Sequence, residues 1–343
     1  MIDPKYIERI VESDISDGII HGGVVLAGTT EAPFCELELG HATAAHDTLL
    51  TLDTVIDGAS TTKVVAGITS LLILRDRGLI DFDRPFTDYL PEYTAPLQET
   101  ITVRELANHL SGFTGGSPVD LSQNPIRGKE LLKLLLTTPP KNGKTAAAVY
   151  SCWNYHLLAQ IIEKLSRRRL ADFCQDEIFT PLGMNDTSLG KPRADIPQAR
   201  LAQTFGTPHP GMISDPPAAR LWADGISTAN AGLFCTAHDY AKLLCCYLRN
   251  GSPIFTPESA AECAPDTKHQ FDDYRNFGWV ITDSYTCPES FGCSLHHSGW
   301  SGQTIYLDYK RNIYIIVLTA RCGDYERAKR DRFDIIRHIV QNY

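Results

Sequence analysis

A chain of 343 residues exceeds an average domain of about 150, so it holds two domains or one large domain with an insertion. Hydrophobic residues at 43% and charged ones at 21% match ordinary globular usage and exclude a disordered, collagenous or coiled-coil chain. Lys and Arg number 32 against 41 Asp and Glu, and the net charge of −9 repels phosphate backbones and anionic lipid, which disfavours nucleic-acid binding.

Tyr6, Ile7, Ile10, Val11 and Ile15 recur at helical spacing and predict a first helix over 4–18, while the runs Gly23 to Gly28 and Phe34 to Leu39 predict a hairpin. Charges are spread through Met1 to Asp14 with no apolar core, so no signal peptide is expected there. Helical patterns then dominate at 61–78, 102–110, 128–137, 154–167, 170–178 and 237–249, separated by Pro- and Gly-rich loops such as 112–126 and 205–219. The most apolar stretch, Val64 to Leu74, contains Gly67, Thr69 and Ser70 and is far shorter than the roughly 20 residues of a membrane span. It reads as a buried helix, and no membrane partner is expected. Thr236 to Asp239 carries a capping-box pattern at the start of the last helix in this block. Short β-type runs follow at 276–283, 291–298, 302–309 and 313–320, joined by turns that permit only antiparallel pairing, and 324–341 closes the chain as a helix.

This order predicts an α+β fold: an antiparallel sheet flanked by N- and C-terminal helices, with a large helical domain inserted. The expected division is 1–58 plus 251–343 for the split α/β domain and 59–250 for the insertion, with the active site in the cleft between them. Ten cysteines in a large chain without an export signal read as free thiols in a reducing compartment, and a cytoplasmic location is the expectation.

Ser60-Thr-Thr-Lys63 stands where Asp57-Gly58-Ala59 gives way to the apolar helix, which puts a hydroxyl near a helix N-terminus and an amine one turn later on the same face. A serine attacks only once a base takes its proton, and a lysine serves if its pKa falls from about 10.4 towards neutrality. The helix N-terminus would also stabilise an oxyanion near the Ser60 amide. Ser188-Leu-Gly-Lys191 has the same spacing, but Gly190 and Pro192 break any helix there. Tyr150-Ser-Cys-Trp-Asn-Tyr155 precedes another apolar helix and puts Tyr150 at its mouth. His297-Ser-Gly299, followed by Trp300-Ser-Gly302, ends a β-type run whose edge can offer an amide to a substrate carbonyl.

Ser-x-x-Lys, Tyr-Ser-x and His-Ser-Gly in this order resemble the serine β-lactamase-like superfamily of class C β-lactamases, penicillin-binding DD-peptidases, D-amino-acid peptidases, esterases and acyltransferases. Further landmarks fall in the same order. They are Leu79-Ile-Asp-Phe-Asp83 with Tyr89-Leu-Pro91, Ile101-Thr-Val-Arg-Glu-Leu with Asn108-His-Leu-Ser-Gly112, Pro181-Leu-Gly-Met184, and Gly232-Leu-Phe with Asp239. The resemblance implies that Ser60 is the nucleophile, Lys63 the general base, and Tyr150 the phenol that helps deprotonate Ser60 and reprotonates the leaving group. It implies too that His297 replaces the lysine of the third motif, that the amides of Ser60 and Trp300 form the oxyanion hole, and that His109 supports a helix terminus. Substrate would lie against Cys152, Ser298, Gly299 and Trp300. The family's second motif commonly reads Tyr-x-Asn, with the asparagine gripping a substrate amide, and Cys152 stands there instead. A thiol is a weak donor and cannot replace a carboxamide. The departure, like the missing export signal, points away from β-lactamases and peptidases and towards small-molecule esters, with amides and lactams as alternatives. No cofactor is expected, and the oligomeric state is left open.

Other classes fare worse. Every Gly-x-Ser, including Ser60, Ser117, Ser227 and Ser301, lacks the second glycine of an α/β-hydrolase, and Thr138 stands where a P-loop at Gly143-Lys-Thr145 needs its first glycine. Cys287, Cys293, His296 and His297 cluster in sequence, but alternation along a strand turns Cys293 and His296 apart, so no metal is expected. Adjacent Cys245 and Cys246 on a helix read as core packing. A silent binding or sensor module would have no reason to keep Ser60, Lys63 and Tyr150 together, and a fluorophosphonate probe separates that case from an enzyme. Pocket walls are expected from the loops 112–126 and 205–222 and from Trp153, Trp222 and Trp300.

Overall fold

The computed structural model describes residues 2–265 and 274–343. Seven strands form one antiparallel sheet: β1 Ile20–Thr29, β2 Pro33–Gly40, β6 Tyr274–Asn276, β7 Trp279–Thr282, β8 Ser294–Ser298, β9 Gln303–Asp308 and β10 Ile313–Arg321. Their spatial order is β2-β1-β10-β9-β8-β7-β6, so the ends of the chain meet where β1 pairs with β10. A small second sheet joins β3 Ile56–Asp57, β5 Leu233–Cys235 and β4 Ser188–Leu189 in that order.

Alternation along the central strands builds two cores. Val24 and Leu26 of β1, Ile305 and Leu307 of β9, and Ile316 and Leu318 of β10 pack with the helices of the middle of the chain. Val25 and Ala27, Tyr306, and Ile315 and Val317 pack with the terminal helices Pro4–Ser16 and Tyr325–Asn342. The same period sets the two adjacent histidines of β8 on opposite faces. His296 stacks on Tyr306 and meets Phe333 edge-on on the terminal-helix side, while the His297 ring faces the helical block. The sheet, its antiparallel pairing and the flanking helices are those expected.

Several local expectations need correction. The single run 276–283 is two strands, β6 and β7, because Phe277 and Gly278 both take positive φ and turn the chain. The expected loop 205–219 ends in a helix, Pro216–Ala223, which Asp215 caps through the Ala218 amide. The predicted helix over 61–78 starts as a tight turn at Ala59–Thr61, widens into a π-helical stretch over Lys63–Ile68 and becomes α-helical only at Thr69–Asp76. Thr69 Oγ1 donates to the Val64 carbonyl five residues back, as the wider turn allows, and such stretches are common at functional sites. At Thr236 half of the capping box forms: its side chain accepts from the Asp239 amide, but Asp239 turns its carboxylate to the Asp186 amide and the Thr187 hydroxyl. All ten cysteines are free thiols, and no helix among the described residues is long and apolar enough to cross a membrane.

Candidate active site

Ser60 follows a strained step. Ala59 takes φ +44°, costly for a residue with a side chain, and its amide donates to Asp57 Oδ1 at 3.0 Å, which helps to hold it there. Asp57 Oδ2 accepts from the amide and hydroxyl of Ser214 at 2.9 and 2.6 Å. Burial outweighs these three bonds and pushes the Asp57 carboxyl up to about 6.

The turn that follows brings Lys63 Nζ to 3.1 Å from Ser60 Oγ. Lys63 is wholly buried, and Nζ also donates to the Asn230 carbonyl at 3.1 Å and to Cys152 Sγ at 3.5 Å. Burial opposes its charge, but interaction with Cys152 and Tyr150 outweighs this and leaves the pKa raised above the ordinary lysine value. The expected fall towards neutrality is therefore corrected: an ammonium with three acceptors fits this site. Tyr150 is 42% exposed and its hydroxyl donates to Ser60 Oγ at 2.8 Å. Its position follows from the start of helix Cys152–Ser166, where the buried His109 accepts the Ser151 amide through Nδ1 at 3.1 Å and lies against the Tyr150 ring, 4.6 Å between centroids. Burial, with Arg275 and Lys63 nearby, pushes the His109 pKa far down, so the ring is neutral.

The opposite wall comes from the sheet. His297 Nδ1 lies 3.1 Å from the Ser298 carbonyl, which makes Nδ1 the protonated nitrogen. Burial, then Arg275 and Lys63, hold the His297 pKa well below the ordinary histidine value, so it is a neutral ring and supplies no cation. Gly299 packs against the nucleophile's own loop: a Cβ there would stand 2.8 Å from the Gly58 carbonyl and 2.5 Å from Gln303 Oε1. This contact packs the turn after β8 against the loop that leads into Ser60. A cavity of about 320 Å³ opens from Ser60 and Tyr150 along His297, Ser298 and Trp300 towards Arg275 and Lys329.

Ser60, Lys63, Tyr150 and Cys152 are thus one contiguous cluster, with His297, Ser298 and Trp300 across the cavity. The second Ser-x-x-Lys match does not build a site, since the Ser188 hydroxyl donates to the Lys191 carbonyl in a turn. Of the three tryptophans expected to wall the pocket only Trp300 lines the cavity. Trp153 is core, its Nε1 bonded to the Leu135 carbonyl, and Trp222 bonds the Ala231 carbonyl. Cys287 and Cys293 bond Glu289 and the Ser290 carbonyl respectively. Residues the sequence reading missed are Asn230, Arg275, Asp283, Tyr325 and Lys329. Asn230 had a signal, standing two residues before the Gly232 landmark, whereas Arg275 and Lys329 are brought together only by the sheet and the last helix.

A family model described as Beta-lactamase matches residues 7–338. A curated relative from Salmonella agona, named "Putative D-alanyl-D-alanine carboxypeptidase", is 24% identical over 319 residues, covering 82% of this chain and 73% of its own. Among solved structures, EstCE1, described as a hydrolase with promiscuous acyltransferase activity, superposes with TM-score 0.78 at 18% identity over 97% of this chain and 98% of its own. A class C β-lactamase from Rhodobacter sphaeroides superposes with TM-score 0.74 at 22% identity, covering 97% and 99%. These likenesses show the β-lactamase and transpeptidase fold.

Proposed function

This chain belongs to the beta-lactamase family of serine hydrolases, and on that premise we propose that Ser60 forms an acyl-enzyme and that small carboxylic esters are its preferred substrates. The observation that carries the reading is the Ser60 hydroxyl held between Lys63 Nζ at 3.1 Å and Tyr150 Oη at 2.8 Å at the floor of a cavity. In the proposed reaction Ser60 Oγ attacks the ester carbonyl while its proton passes to the Lys63–Tyr150 pair. The oxyanion is received by the Ser60 and Trp300 amides, and Tyr150, the more exposed partner, protonates the leaving alcohol. Water or a second alcohol then takes the acyl group by the reverse path. We also propose the domain division 1–58 plus 251–343 and 59–250, and a reducing compartment, which ten free thiols suit.

The preference for esters rests on Cys152. Its sulfur is engaged by Lys63 and does not line the cavity, so a substrate's acylamino side chain would meet no carboxamide. An amide buried unpaired costs about 1 to 3 kcal/mol, or one to two powers of ten in kcat/KM. A second reading, a lactamase or carboxypeptidase, is favoured by Arg275 and Lys329 in the cavity wall, which suit a substrate carboxylate. A nitrophenyl ester should be hydrolysed clearly faster than a penicillin or cephalosporin, and Cys152→Asn should narrow the gap by improving the lactam alone. A cephalosporin turned over faster than the ester by the wild type would establish the second reading instead.

A further inference from the structure

Against Trp300, which lines the cavity, lies a buried guanidinium for which the proposed reaction has no direct use. Arg321, at the end of β10, is 2% exposed and has no salt bridge among the described residues. Taking an unpaired cation out of water is costly, so the contacts that hold it there are informative. Its Nε donates to the Trp300 carbonyl at 2.9 Å and its Nη1 to the Gly323 carbonyl at 2.6 Å. The guanidinium carbon lies 3.8 Å from the centroid of Phe205, 4.6 Å from Trp300 and 5.5 Å from Tyr325. The Trp300 ring itself stacks on Tyr325 at 4.9 Å and meets Phe205 edge-on at 5.8 Å. One cation therefore ties together the turn between β8 and β9, the loop at Phe205 and the first residue of the last helix.

We infer that Arg321 is a positioning residue for the oxyanion hole, an inference that rests on the acyl-enzyme reading above. The Trp300 amide is useful only if the peptide plane between Gly299 and Trp300 keeps its angle, and the glycines around it offer little resistance to rotation. Gly302 takes φ +123°, and the hydrogen bond from its amide to the Gly299 carbonyl is a long 3.2 Å. The turn is anchored elsewhere on one side by Gly302 O, which accepts the Thr319 amide at 2.9 Å, and on the other by the Gly299 amide on Gln303 O at 2.8 Å. Trp300 stands between these anchors, 49% exposed, and its carbonyl accepts from Arg321. Fixing that carbonyl limits ψ of Trp300, and the contacts of its ring with Tyr325, Phe205 and Arg321 limit rotation about φ, which restricts the orientation of the amide.

The test uses the full chain with a nitrophenyl ester, an arylboronic acid whose adduct on Ser60 places an oxygen in the hole, and fluorophosphonate titration of active sites. Loss of an oxyanion donor costs about 10²- to 10³-fold, and a donor loosened rather than removed should cost less. Arg321→Met should lower kcat per titrated site by about 30-fold with KM within about twofold, and weaken the boronate by a similar factor. Arg321→Lys, which keeps a donor for the Trp300 carbonyl, should recover most of the loss. Phe205→Leu, on a half-buried loop, provides the answer if Arg321→Met does not fold, and should lower kcat per site by about threefold with weaker boronate binding. Unchanged kcat per site and boronate affinity in the variants that fold would assign Arg321 to stability alone and overturn the inference. A wild type that takes no adduct at Ser60 overturns the acyl-enzyme reading, and this inference with it.

Discussion

The two walls of the cavity are built by different means. One side comes from short segments: Ser60 and Tyr150 line it, with Lys63 a turn beyond Ser60 and Cys152 at the start of the helix after Tyr150 packed behind them. The other is assembled from β6, β8, the turn after β8 and the last helix, so that Arg275, His297, Trp300 and Lys329 meet across more than fifty residues of chain. Side chains of the first wall bond to one another and to the proposed nucleophile, whereas those of the second surround space. The first wall therefore bears on proton transfer and the second on charge and shape around the substrate, and the two should respond to substitution on different scales.

The largest effects should come from the first wall. Ser60→Ala should abolish turnover and probe labelling while leaving the fold intact, and Ser188→Ala should change neither. Lys63→Ala and Tyr150→Phe should each lower kcat by at least about 10²-fold, and the double variant should lose far less than the product, because both groups bond the same oxygen. Multiplying losses in the double variant would separate the pair and break the unity of this wall.

The pH profile sharpens the same point. Lys63 must lose a proton before the pair can accept one, and its pKa is raised above the ordinary lysine value. Log kcat/KM for a neutral ester should then rise with pH at a slope of about one through pH 7 to 9 without levelling. A plateau near neutral pH would remove Lys63 as the acceptor.

The second wall predicts a smaller, pH-independent effect. His297 is neutral well below pH 6.5 and holds the Ser298 carbonyl through Nδ1–H. His297→Phe should cost about tenfold in kcat/KM, the scale of one hydrogen-bonding group, by the same factor at pH 5.5 and 8. A cost that grows towards pH 5.5 would show that a histidine cation contributes.

The same contrast decides what could be read from the sequence. Helical spacing put Ser60 beside Lys63 and Tyr150 at a helix mouth because those relations are local, and the β-type runs at 302–309 and 313–320, joined by a short turn, pointed to an antiparallel sheet. The raised pKa of Lys63 was not legible, because it depends on Cys152 and Tyr150, far away in the sequence. The turn at Phe277–Gly278 lay inside a β-type run whose apolar residues outweighed the turn residues Asn276 and Gly278, and Phe277 takes positive φ despite its side chain. Arg275 and Lys329 have no mutual spacing at all, and Arg321 reads as the polar end of an apolar strand.

Asp57 joins the two walls, and its substitution should have the smallest effect on rate and the clearest one on stability. Its carboxylate holds Ala59 and Ser214 on the first side, while its backbone carbonyl accepts from the Ser301 hydroxyl on the second. Burial raises its pKa from 3.8 to about 6 in the fold. A carboxyl raised on folding favours the native state below its unfolded pKa, and that contribution is lost as pH climbs through about 6, a loss of about 3 kcal/mol. Asp57→Asn cannot titrate. It also turns an NH₂ towards either the Ala59 or the Ser214 amide, which adds a cost that does not vary with pH. The difference in unfolding free energy between the two proteins, from urea titrations at pH 4.5, 5.5, 6.5 and 7.5, should therefore shift in favour of the variant by about 2 kcal/mol across the series, the rest of the loss falling below pH 4.5. Other titrating groups, Asp14 among them, act alike in both proteins and cancel. A difference constant to within about 0.5 kcal/mol would show that Asp57 is ionised throughout, and that the joint between the walls is held by an ordinary carboxylate.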